Sequence, residues 1–100
     1  MRLNTQSVNF NADVKLIDFI QKKFDKLDKY YDKVISADIY LKLDNTSDKE
    51  NKIFEVRLQV PGDKFVVKKQ STTFEEGTDL AVNSLERQLK KRKQKIRTYL

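Results

Sequence analysis

Seven basic side chains, Arg87, Lys90, Lys91, Arg92, Lys93, Lys95 and Arg97, crowd the stretch from Arg87 to Leu100, and no acidic residue separates them. The rest of the chain holds fourteen basic and fifteen acidic residues, so the formal net charge of +6 belongs wholly to this terminus. A cationic block on one element of an otherwise neutral chain suits a polyanion. Phosphate backbones are its commonest partner, because neutralising phosphates releases condensed counterions.

Other chemistry is absent. The chain has no cysteine and no histidine, so the usual general base, the activated thiol and most transition-metal ligand sets are missing together. The two glycines, Gly62 and Gly77, stand too far apart for a phosphate-cradling loop. No catalytic residue, metal site or cofactor is assigned, and neither an enzyme nor a small-molecule substrate is expected. No apolar run approaches the roughly 18 residues of a membrane span, and the opening MRLNTQSVNF lacks an apolar signal region. No membrane contact is expected, and the expected compartment is cytoplasmic.

The elements that must position the basic block are readable from periodicity. Residues 2–8 alternate weakly, as a short strand. Asn9, Asn11 and Asp13 then offer turn and cap chemistry. Leu16, Ile17, Ile20, Phe24, Leu27 and Tyr31 recur at helical spacing and fall on one face at roughly 100° per residue. Lys15, Lys22, Lys26, Lys29 and Lys33 gather opposite them, and Asp18, Asp25, Asp28 and Asp32 form a separate flank. Ala37, Ile39, Leu41 and Leu43 alternate with polar residues, as do Phe54, Val56, Leu58 and Val60, which predicts two half-buried strands around a polar loop over 44–52. Pro61-Gly62 suits the centre of a type II turn leading to a strand over Lys64–Lys69. Thr73-Phe74-Glu75-Glu76 reads as a capping box, with Thr73 as N-cap and Glu76 reaching back. Phe74, Ala81, Leu85, Leu89 and Ile96 then supply a buried stripe, and Arg87, Lys90, Lys91 and Gln94 point away from it.

The order is β-α-β-β-β-α. Its first strand, helix and second strand form a crossover unit with parallel strands. The expected fold is α+β: a four-stranded mixed sheet with two helices on one face, similar to a double-stranded-RNA-binding domain. Residues 1–100 are expected to form a single domain whose basic C-terminal helix covers about 74–97. Both basic stripes then face outward from the same side and can follow phosphates without reading a base.

Each stripe also has a plainer reading. Asp18 with Lys22 and Asp25 with Lys29 are spaced to pair at i, i+4 and so to occupy part of the first stripe. C-terminal bases serve the helix dipole, although that effect fades beyond the last turn and does not reach Arg87, Lys90 or Lys91. Arg92 lies beside the apolar stripe, where its stem can line the core edge. It therefore ranks below the others as a contact. Tyr40, on the outer sheet face among Asp38, Lys42, Glu55 and Arg57, reads as a cross-strand packing residue in preference to a base-stacking platform.

With this order in place, the sequence resembles the ribosome hibernation-promoting factor family, also called ribosome-associated inhibitors. The likeness covers almost the whole chain. It rests on Leu16-Ile17-Asp18-Phe19-Ile20, on Lys26-Leu27-Asp28-Lys29-Tyr30-Tyr31, on Val60-Pro61-Gly62 and on Thr78-Asp79, and above all on Leu85-Glu86-Arg87-Gln88-Leu89-Lys90-Lys91. The resemblance implies a bacterial stress or stationary-phase protein that binds the 30S subunit or the 70S ribosome at the decoding region. It implies that basic helix faces contact 16S rRNA, which blocks messenger and transfer RNA and inhibits translation. By position, the implied rRNA-binding residues are Lys22, Lys26 and Lys29 on the first helix and Arg87, Lys90, Lys91, Lys93 and Lys95 on the second.

Two departures stand out. Gly77 occupies a place where relatives carry a small helix former such as Ala, at a local cost near 1 kcal/mol. The sequence ends at Leu100, without the C-terminal dimerisation domain of long members; if this is the full protein, it is not expected to pair two ribosomes through such a domain. A monomer off the ribosome is expected. The alternative function is a protein-binding regulator of the sigma-factor modulator type, since a basic helix can also grip an acidic protein surface. A general duplex-RNA binder fits less well, because such modules offer a helix N-terminus to the grooves and the basic end here is C-terminal.

Overall fold

In the computed structural model, residues 1–44 and 51–98 are described, with side chains through 94. Strand β1 (Arg2–Ser7) is followed by helix α1 (Val14–Tyr30), strands β2 (Ser36–Leu43), β3 (Lys52–Val60) and β4 (Asp63–Ser71), and helix α2 (Phe74–Thr98). This is the expected β-α-β-β-β-α order. The polar loop expected over 44–52 falls largely on 45–50 and lies outside the described residues; its flanks are joined by the Asp44 N–H donating to the Asn51 carbonyl at 2.8 Å.

The four strands lie in sequential order. β1 pairs parallel to β2, and the β2–β3 and β3–β4 pairs are antiparallel, so the sheet is mixed. Register follows the period-2 pattern: Ala37, Ile39 and Leu41 sit opposite Leu58, Val56 and Phe54, and all six are buried on one face. The helices cover that face only. Phe54 shows it directly, because its ring stacks on Phe24 of α1 at 6.3 Å while its Cβ lies 3.0 Å from where a Cβ on Gly77 of α2 would be. Each fully buried Leu, Ile or Phe in this layer contributes about 1.5–3 kcal/mol relative to exposure.

Local chemistry sets where each helix starts. Asn9, at φ +64°, turns the chain out of β1, a conformation that Asn tolerates better than most residues. Asp13 then caps α1, its Oδ1 accepting the Lys15 N–H at 3.2 Å. At α2, Thr73 Oγ1 accepts the Glu76 N–H at 3.1 Å, as a capping box requires. The reciprocal half differs from expectation: the Glu76 carboxylate takes the Thr72 hydroxyl at 2.9 Å instead of the Thr73 N–H. The side chain one residue further out offers a hydroxyl within reach, and it wins the carboxylate. The β4 strand is also longer than the Lys64–Lys69 read from the sequence, because Asp63 already pairs with Val60 across the Pro61-Gly62 turn, where Gly62 takes φ +76°.

Candidate nucleic-acid interface

α1 and α2 run side by side in the same direction. Lys23 Nζ meets Asp79 Oδ1 at 3.1 Å, and further along both helices, by about two turns on α1 and between three and four on α2, Tyr31 Oη accepts from Arg92 at 2.8 Å. Their lengths differ. The 17 residues of α1 span about 25 Å and the 25 residues of α2 about 37 Å. Leu89 is the last buried side chain on α2 among those described, so the turns that begin at Lys90 project past the core carrying their bases into solvent.

Of the bases read from the sequence, Lys22, Lys26 and Lys29 are exposed on α1, and Arg87, Lys90, Lys91 and Lys93 are exposed on α2. The side chain of Lys95 lies outside the described residues. The internal pairing expected for the first stripe does not form. Among the described residues the ion pairs of α1 are Asp28 with the Met1 amine and Lys23 with Asp79, and Asp25 accepts an amide hydrogen of Gln21 at 2.9 Å. Lys22, Lys26 and Lys29 have no ion-pair partner among the described residues. Correct i, i+4 spacing makes an ion pair available, but an exposed pair gains only a few tenths of a kcal/mol, too little to hold the long lysine side chain against a short aspartate.

The surface is not uniformly cationic. Glu86 directly precedes the bases of α2, and Asp79, two turns earlier, is paired with Lys23 of α1. Between the helices and the β4 edge opens a depression of about 660 Å³ lined by Tyr30, Lys69, Leu80, Asn83, Glu86, Arg87 and Lys90. Sequence reasoning missed Tyr30, Lys69 and Asn83 here.

Arg92 is the base that the surface does not present. Its guanidinium donates to Tyr31 Oη at 2.8 Å and to the Pro61 carbonyl at 2.6 Å, and its Nε lies 3.6 Å from Asp63 Oδ2. It ties α2 to the end of α1 and to the β3–β4 turn. Arg92→Ala should cost about 1–2 kcal/mol of stability, the loss of two charge-assisted hydrogen bonds at a partly buried site. A urea midpoint unchanged by that substitution would show the clamp to be idle. Tyr40 is likewise engaged: Arg57 of β3 lies 5.5 Å from its ring centroid, the cross-strand packing expected of it, and Lys42 of its own strand lies 6.0 Å away.

The match to known proteins covers nearly the same span as these elements: residues 3–97 fit the family described as sigma 54 modulation protein / S30EA ribosomal protein. The chain belongs to this family. A curated relative, the ribosome hibernation promotion factor of Bacillus subtilis (strain 168), is 31% identical over 96% of this chain, which spans 50% of that factor's length. The ribosome hibernation promoting factor of Pseudomonas putida is 25% identical over 100% of the chain and 94% of the relative. Among solved structures, a ribosomal subunit interface protein from Coxiella burnetii shares the fold at a TM-score of 0.83, with 21% identity over 94% of this chain and 99% of that one. The N-terminal domain of Thermus thermophilus Protein Y superposes with a TM-score of 0.77 at 25% identity, over 91% and 98% of the two chains. The family's mixed sheet with two helices is the architecture found here, and no helix among the described residues is long and apolar enough to cross a membrane.

Proposed function

We propose that this chain is a ribosome hibernation factor. In this reading it seats the outward faces of α1 and α2 against 16S rRNA of the 30S subunit at the decoding region, in 30S or 70S particles. Occupancy alone blocks messenger and transfer RNA and inhibits translation during stress or stationary phase. Lys22, Lys26 and Lys29 of α1, with Arg87, Lys90, Lys91, Lys93 and Lys95 of α2, carry the phosphate contacts. No bond is made or broken, and the protein acts as a monomer in the cytoplasm. One observation carries the reading: seven exposed bases with no ion-pair partner among the described residues share two parallel helices, in a chain whose family includes ribosome hibernation factors.

Co-sedimentation with purified 30S and 70S particles across a salt series tests it. Six or more phosphate contacts predict an affinity that falls on the order of 10³-fold or more between about 50 and 200 mM salt. Bound protein should also compete with messenger and transfer RNA for 30S particles. Absence of binding at low salt would overturn the reading and move a regulator of the sigma-factor modulator type to first place, for which nuclease-resistant association with a protein would be the sign.

A further inference from the structure

Tyr30 is the one aromatic among the large hydrophobic side chains exposed in the described residues, at 47% exposure, and Leu80 is another of that set at 40%. Singly exposed apolar residues are ordinary on a soluble protein. These two differ because they line the same depression, and Lys69, Arg87 and Lys90 stand around it. A flat aromatic and an apolar neighbour inside a cationic rim match the parts of a nucleotide: π-face for the base, charge for the phosphates on either side. The depression also holds groups that can meet a base edge, the Asn83 amide and the Glu86 carboxylate.

From this arrangement, and resting on the RNA-binding reading above, we infer that the depression receives one unstacked base of its RNA partner, laid on the Tyr30 ring. Arg87 and Lys90 hold the flanking phosphates. The interface then has two components with different physics. The helix stripes supply salt-dependent, sequence-independent affinity, whereas Tyr30 supplies a salt-independent preference for RNA that can present an unpaired nucleotide. Duplex RNA, whose bases stay stacked, satisfies only the first component.

The test uses two short RNA hairpins, identical except for one bulged nucleotide, with wild type, Tyr30→Phe and Tyr30→Ala. Wild type should prefer the bulged hairpin by about 5- to 150-fold, the range that corresponds to one base–aromatic stack. Tyr30→Ala should lose that preference while keeping the salt slope on both hairpins, and Tyr30→Phe should keep it. The chain contains no tryptophan, so Tyr30→Trp installs a single indole whose emission should be quenched by the bulged hairpin. Equal binding of both hairpins by wild type, or a preference that survives Tyr30→Ala, would overturn the inference. Ribosome binding is scored separately: particles bound without a hairpin preference sink only the stacking site, and a hairpin preference without particle binding sinks only the ribosome reading.

Discussion

The double substitution Arg87→Glu/Lys91→Glu should weaken binding to the small ribosomal subunit by roughly a hundredfold or more near 100 mM salt and leave the fold intact. Both side chains are exposed and neither has an ion-pair partner among the described residues, so exchanging them costs the domain little, within about 0.5 kcal/mol each. Their positions, well short of the end of α2 at Thr98, keep the new carboxylates away from the last-turn carbonyls, where they would be unfavourable. Binding suffers twice. Two attractive phosphate contacts vanish, and two carboxylates now face the same phosphates. Each lost contact should also lower the salt slope by about one. The combination of a shallower slope, a lower affinity and an unchanged melting curve is specific to a phosphate-facing role. Wild-type binding by the double variant would show that α2 does not face the particle through these residues. The triple substitution Lys22→Glu/Lys26→Glu/Lys29→Glu asks the same of α1, and a loss confined to one helix would identify which face docks.

Legibility in the sequence tracked the range of the interaction. Element order, strand parity and the buried stripes follow from periods of 2 and 3.6, which are local, and β2, β3, α1 and α2 emerge where those periods place them. The turn at Pro61-Gly62 and the Thr73 cap are likewise local chemistry. Long-range partners were not readable. Arg92 meets Tyr31, Pro61 and Asp63, and Lys23 meets Asp79 across the helix pair; spacing along one element says nothing about what the neighbouring element brings. The stripes of α1 and α2 were visible because a helix displays its own faces. Tyr30 and Lys69 were not, because their shared depression exists only once β4, α1 and α2 are packed. The i, i+4 pairs on α1 failed for a different reason: the geometry was right and the energy too small.

Gly77→Val should destabilise the domain by about 2–3 kcal/mol, and the reason reverses what the helical position alone suggests. By propensity Gly77 is a defect, since glycine inside a helix costs close to 1 kcal/mol relative to alanine. Yet Gly77 is buried, and a Cβ built on it would stand 3.0 Å from both the Phe54 Cβ and the Ser71 Oγ. Both neighbours are held. Phe54 is fully buried and stacked on Phe24, and Ser71 Oγ donates to the Thr73 carbonyl at 2.9 Å just before α2 begins. Neither has slack to give, so the branched side chain of valine must push α2 off the sheet or Phe54 out of its rotamer, an overpacking cost of about 1–3 kcal/mol that exceeds the few tenths recovered from propensity. Gly77→Ala places the single methyl at the limiting distance, so its gain of nearly 1 kcal/mol and its crowding should cancel to within about 1 kcal/mol. For a domain of this size the valine variant should melt roughly 8–20 °C below wild type. A valine variant as stable as wild type would mean that α2 can shift relative to β3 and β4. The same glycine therefore bears on the interface: by letting the backbone of α2 approach β3, it sets the height at which Arg87, Lys90 and Lys91 stand above the sheet and beside α1. Folded Gly77→Val protein at low temperature should bind ribosomal particles more weakly than wild type, without the change in salt slope that charge reversal produces.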